Sequence, residues 1–162
     1  MRVLGIDPGL QVSGYGLLQA QGARVRVVEA GVVRTDDHQS LAERIQRLHK
    51  AVGDIVGDLR PDVIAVEELY SHYRHPVTAI LMGHARGVIF LAAAQAGVPV
   101  VSYAATRVKK SLTGEGRASK EQVQRMVQST LGLKEMPHPP DVADALAVAL
   151  CHCNVLVRQA WK

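Results

Sequence analysis

The sequence predicts an α/β domain with a mixed five-stranded sheet flanked by helices, as a single domain over residues 1–162. Three observations carry this expectation. Short runs rich in Val, Leu and Ile, bounded by Gly and Pro, open the chain in quick succession, as hairpin strands do. Apolar residues at helical spacing then alternate with two further short apolar runs. No repeat, low-complexity tract or interdomain linker interrupts the pattern, and a hydrophobic content of 48% is enough for a sizeable core at this length.

In chain order, residues 3–6 form an apolar run that stops at Asp7-Pro8-Gly9, so a buried strand ends on a charge. Residues 14–19 and 24–33 follow as antiparallel strands turning at Gln21-Gly22. Ser40 and Glu43 have the spacing of a capping box, and Leu41, Ile45, Leu48, Val52, Ile55 and Leu59 predict one apolar helix stripe up to Pro61. Residues 63–66 are a second buried strand, ending at Glu67-Glu68. Residues 77–96 predict a long helix closed by Gly97, with Gly83 and Gly87 one turn apart where another backbone can approach closely. A last strand spans residues 100–103. Gly114 and Gly116 mark a pliable loop in the basic stretch that follows. Ser119 and Gln122 then form a second capping box ahead of Val123, Met126, Val127 and Leu131, and Asp141 opens a final helix that runs into Cys151.

The net charge of +4 permits a polyanionic partner without requiring one. Cys151 and Cys153 lie two apart in a helical pattern and point to different faces, which suits a reducing cytoplasm and disfavours a bridge. No second ligand pair accompanies Cys151-His152-Cys153, so helix packing is expected there rather than zinc. Asp7 interrupts the apolar run at the N-terminus, and no unbroken apolar stretch of about 20 residues is evident, so neither a signal peptide nor a membrane span is expected. The expected location is cytoplasmic.

Four acids occupy places where acids are costly. Asp7 and Glu67 end buried strands, and Asp141 and Asp144 start an otherwise apolar helix. Residues three apart share a helix face, so Asp141 and Asp144 can point together, and neighbouring strands would bring Asp7 and Glu67 to the same edge. Such a cluster repels itself unless cations neutralise it. All-oxygen ligands select hard ions, Mg²⁺ or else Mn²⁺, and a pair of such ions can clamp a phosphodiester and promote its hydrolysis. Taken singly, three of these acids have ordinary explanations: Asp7 capping a turn, Asp141 capping a helix, and Glu67, like Glu68, solvated beyond a strand end.

Gly5-Ile6-Asp7-Pro8-Gly9 with Gly14-Tyr15-Gly16, Ala65-Val66-Glu67-Glu68, Tyr103-Ala104-Ala105, and Asp141-Val142-Ala143-Asp144-Ala145-Leu146-Ala147 resemble, in order and spacing, the signatures of the RuvC-type resolvases. The resemblance covers nearly the whole chain. It implies an RNase H-like fold and a Mg²⁺-dependent endodeoxyribonuclease that resolves four-way (Holliday) junctions in recombination and repair. The implied reaction is a pair of symmetric nicks leaving 5′-phosphate and 3′-hydroxyl ends. By this match Asp7, Glu67, Asp141 and Asp144 are the catalytic, metal-binding acids, serving two ions per site. Glu68 is set aside, because strand alternation turns it to the opposite face. Some relatives use histidine at the third acid position, where this chain has Asp141; neighbouring His138 falls outside the motif.

The segment after Glu67 places Tyr70, Tyr73 and Arg74 beside the expected metals, where an aromatic ring can stack on an unpaired base; the resemblance gives Tyr70 that wedge role. Arg107, Lys109, Lys110, Arg117 and Lys120 form a basic stretch expected to bind DNA phosphates, and Lys109 and Lys120 match the family's basic positions. The apolar residues of the 77–96 helix, Ile80, Leu81, Ala85, Val88, Ile89 and Leu91 among them, exceed what one sheet face should cover, which predicts a homodimer. The RuvAB branch-migration complex is a further partner implied by the family. Three other functions compete with junction cleavage. These are a related ribonuclease with the same acids, a non-catalytic junction-binding module, and an actin-like ATPase or sugar-kinase fragment, for which the chain leaves no room for a paired domain.

Overall fold

The computed structural model describes residues 1–22, 24–68 and 76–160. Strands β1 (Arg2–Asp7), β2 (Val12–Gln21) and β3 (Arg24–Arg34) form an antiparallel meander. Helix α1 (Leu41–Leu59) leads to β4 (Val63–Glu67), which pairs parallel to β1. Helix α2 (Pro76–Gln95) leads to β5 (Val100–Tyr103), parallel to β4. Helices α3 (Ala105–Thr113), α4 (Lys120–Leu131) and α5 (Pro140–Ala160) complete the chain. The five strands lie in the order β3-β2-β1-β4-β5, so the expected mixed sheet is present with β1 at its centre.

Period-two alternation divides the core into two layers. Val3, Val63 and Ala65 face α5 and pack with Val127, Leu146 and Leu150. Leu4, Ile6, Ile64 and Val66 face the other way, onto Leu48 and Val52 of α1 and Ile89 of α2. The same alternation sends Asp7 and Glu67 to the α5 face.

Helix α5 lies unusually close to the sheet because glycines stand beneath it. A Cβ on Gly5 would collide with the carbonyl of Ala145, one on Gly14 with the carbonyl of Asp141, and one on Gly16 with the Leu146 side chain. Cys151 and Cys153 are buried and unbridged, and His152 Nδ1 lies 2.7 Å from the Tyr103 hydroxyl, so this stretch is core packing.

Several expectations need correction. The first helix forms its Ser40–Glu43 capping box, but Leu41 is exposed and Val56, not Ile55, is fully buried; the buried set Leu48, Val52, Val56 and Leu59 follows the helical period. Residues 105–113, for which no element was expected, form α3, because Val108 packs into the core and Gly114, at φ +84°, caps the helix end. Among the described residues nothing lies within 4 Å of where a Gly87 Cβ would stand. By length and composition alone α2 and α5 are apolar enough to cross a membrane, contrary to expectation. In this fold α5 is the core helix, whereas α2 packs one side on the sheet and α1 and leaves the other exposed.

Candidate active site

The acid cluster is assembled by strand ends and one helix turn. Asp7 is the last residue of β1, paired with Gly14 of β2, and the close seat of α5 over Gly14 sets Asp141 directly above that pair. Glu67 ends the neighbouring strand β4, opposite Tyr103. Asp144 is nearly one turn along α5 from Asp141. The turn after Asp7 is closed by Ser13, whose hydroxyl donates to the Gly9 carbonyl at 2.6 Å and accepts from its N–H at 3.1 Å.

All four acids are half-buried. Burial, and then the charges of Asp144, Glu67 and Asp141, push the Asp7 carboxyl up to about 8, against a weaker pull from Lys120. Burial and Asp144 also hold Glu67 above the ordinary carboxylate range, with Lys109 and Lys120 pulling it down. Lys120 Nζ pairs with Asp144 Oδ2 at 2.7 Å. Burial alone favours the neutral amine of Lys120, but Asp144, Asp7 and Asp141 outweigh it and raise its pKa. Among the described residues the carboxylates of Asp7 and Glu67 accept no hydrogen bond, so a group of half-buried oxygen donors is left with two lysines, Lys109 and Lys120, to balance it. That donor set fits hard divalent cations.

The expected basic stretch divides. Lys109 and Lys120 line a cleft with Glu67 and Asp144, whereas Arg107 and Lys110 line a different cleft with Cys151 and Arg158. The cause is α3, whose period turns Lys109 away from its neighbours; Arg107 instead lies over the Tyr103 ring, 5.1 Å from its centre. Arg117 is exposed. Lys120 does begin a helix, but it contacts an acid of the cluster rather than a free helix end. Glu68 is exposed and still paired to β5 through its N–H to the Tyr103 carbonyl, as the alternation requires. Tyr70, Tyr73 and Arg74 lie outside the described residues.

Some site residues escaped sequence reasoning. Asp37 and Arg44 line a cleft with Asp7 and Asp141. Arg44 sits beside Ile45 on an amphipathic helix and reads locally as a solvated charge; only the packing of α1 beside the first hairpin reveals its place. Asp36, Asp37 and His38 also bring one ligand atom each within 4.8 Å of one another; all three are exposed, and none of the four predicted acids belongs to this group.

A mixed sheet with acids gathered at the ends of its two central strands, under a helix supplying two more, defines an RNase H-like nuclease domain. A family model described as crossover junction endodeoxyribonuclease RuvC matches residues 3–152. The RuvC of Rhodopirellula baltica is 50% identical over 149 residues, covering 92% of this chain and 84% of the relative. That of Heliobacterium modesticaldum is 50% identical over 156 residues, 96% of each. The structure of Thermus thermophilus RuvC in complex with Holliday junction substrate superposes with a TM-score of 0.92 at 41% identity, covering 98% of this chain and 96% of that one. The yeast mitochondrial Holliday junction resolvase shares the fold, with a TM-score of 0.66 at 15% identity, over 97% of this chain and 80% of that one. The chain belongs to the crossover junction endodeoxyribonuclease RuvC family.

Proposed function

We propose that residues 1–162 act as one nuclease domain that nicks four-way DNA junctions with divalent metal, as a homodimer in the cytoplasm. The observation that carries this reading is the convergence of Asp7, Glu67, Asp141 and Asp144 in a member of the RuvC family. Mg²⁺, or Mn²⁺ in its place, two ions per site, would be held by these four acids, with Asp7 central because it is coupled to the other three. When bound, the ions would supply charge neutralisation and water activation at the phosphodiester, consistent with 5′-phosphate and 3′-hydroxyl ends.

The chain's own residues supply the rest. Asp7 and Glu67 on rigid strand ends, and Asp141 and Asp144 on the first turns of α5, orient the site, where small displacements are costly. Lys120 shields the cluster through Asp144 and, with Lys109, offers cations to the DNA backbone beside Glu67. Tyr70, Tyr73 and Arg74 follow Glu67 in the chain and suit contacts to unstacked bases and phosphates; Arg107, Lys110 and Arg117 would add phosphate contacts further out.

The homodimer is supported by one stripe of α2. Val77 is 69%, Ile80 60% and Leu91 52% exposed, and with His84, Gly87 and Ala94 they recur at spacings of three and four along one face. An apolar stripe with a glycine in its middle fits a second copy of itself, and two-fold symmetry would present two sites to matching strands. RuvAB is the partner machinery this membership implies.

The test is incubation of a mobile four-way junction with the protein in Mg²⁺, with chelator, and against linear duplex and RNA–DNA hybrid. Paired nicks confined to the junction and lost in chelator are expected. Preferential cutting of the hybrid would instead favour a ribonuclease.

A further inference from the structure

The acid cluster is flanked by two clefts. On the Glu67 and Asp144 side, Lys109 and Lys120 line the wall. On the Asp7 and Asp141 side, a cavity of about 570 Å³ has Arg44 as its one cation among the described residues. Arg44 is half-buried and held by name: its Nε donates to the Thr35 hydroxyl at 3.0 Å. The buried Thr35 hydroxyl donates in turn to the Leu10 carbonyl at 2.5 Å, and the Thr35 N–H to the Gln11 carbonyl at 3.1 Å. Leu10 and Gln11 belong to the turn that follows Asp7, so the guanidinium is tethered to the backbone that carries the central acid.

The tether uses only one edge of the guanidinium. Among the described residues Arg44 has no ion pair, although Asp37 lines the same cleft; Asp37 lies 3.8 Å from His38 instead. Among the described residues the two terminal nitrogens of Arg44 make no hydrogen bond, and a planar fork with fixed orientation matches the oxygens of a phosphodiester. We propose that Arg44 is a substrate-contacting residue that grips a backbone phosphate on the Asp7 side of the acids, opposite Lys109 and Lys120, with Thr35 as its positioning residue. The strand to be cut is then clamped from both flanks. This rests on the junction-cleaving reading.

The experiment measures equilibrium binding of the full chain to a four-way junction, in chelator, across a range of salt. Arg44→Gln is expected to weaken binding about tenfold at low salt. The slope of log affinity against log salt should fall by about 0.9, the share of one phosphate contact. Thr35→Val should reproduce part of the loss and Thr35→Ser restore it. An unchanged slope in a folded Arg44→Gln protein overturns the proposal and leaves Arg44 as a strut between α1 and the first turn. Should Arg44→Gln not fold, Arg44→Lys is compared with wild type on junctions carrying single methylphosphonates along the cleaved strand. One position should then penalise wild type clearly more than the variant, and the absence of any such position also overturns the proposal. A wild-type protein that does not prefer the junction to duplex is a separate result, and it defeats the functional reading itself.

Discussion

Helices α5 and α2 are of nearly equal length and similarly apolar, yet the fold treats them differently. Helix α5 is pressed into the sheet over Gly5, Gly14 and Gly16, and its apolar residues are covered by its own chain. Helix α2 buries Ala85, Val88, Ile89, Ala92 and Ala93 and leaves a stripe through Ile80 and Leu91 in solvent. Apolar content alone does not say what covers a helix. The two assignments follow from what lies opposite: glycines in the same chain for α5, and, for the Ile80–Leu91 stripe of α2, nothing within the described residues. One helix therefore positions Asp141 and Asp144, and the other keeps an exposed apolar stripe.

The sharpest way to break this contrast is to fill the space under α5. Gly14→Val should displace Asp141 from Asp7, reducing junction cleavage by about a thousandfold or more and destabilising the fold by about 1–3 kcal/mol or more, read by cleavage rate and denaturant melts. Gly87→Ala adds the same kind of bulk on the open side of α2 and should leave the stability of a single chain unchanged or slightly raised, since alanine favours helix.

Charging the α2 stripe should act on assembly. Ile80→Glu combined with Leu91→Glu is expected to halve the sedimenting mass at micromolar concentration and to uncouple the two nicks of a junction, with the melting curve of the single chain little changed. A protein that keeps its doubled mass would place the contact between copies away from the α2 stripe.

A third effect is read through pH. The Asp7 carboxyl is held at about 8 in the folded chain, above its ordinary value near 3.8, so the folded state keeps a proton that the unfolded state releases. Stability from this group is therefore full below about pH 4 and lost as pH rises through about 8. Metal binds the ionised form, so Mg²⁺ should raise the melting temperature more at pH 8 than at pH 6. Asp7→Asn should remove that dependence and raise the metal-free melting temperature at pH 8 by on the order of 5 °C. A metal effect that is equal at both pH values would place the ion elsewhere.

The smallest effect concerns two adjacent acids. Glu67→Gln should slow cleavage by about a hundredfold or more, whereas exposed Glu68→Gln should change it less than about threefold, because alternation sends Glu68 to the opposite face. Equal losses would contradict the strand register.

Local signals carried much of this arrangement. Apolar runs ending in Asp7 and Glu67, and the spacing of Asp141 and Asp144, were legible because strand and helix periods determine where such side chains point. Both capping boxes formed where the Ser-x-x-Glu and Ser-x-x-Gln spacing predicted them. Helix α3 was missed because its basic residues and the glycines after it outweigh one buried contact, Val108, and with it went the division of Lys109 from Arg107 and Lys110. Nor could Lys120 be paired with Asp144, or Arg44 with Thr35, from the chain alone; each contact joins elements whose apposition is tertiary.

The most direct measurement of the central claim separates binding from cutting in Asp7→Asn. With Mg²⁺ present, the variant should bind a four-way junction within about threefold of wild type, since the basic groups remain, while cleavage falls by about a thousandfold or more. An Asp7→Asn protein that still cuts junctions at a rate near wild type, or that loses binding and cutting to the same degree while remaining folded, would contradict the account of Asp7 as the centre of a metal-dependent nuclease site.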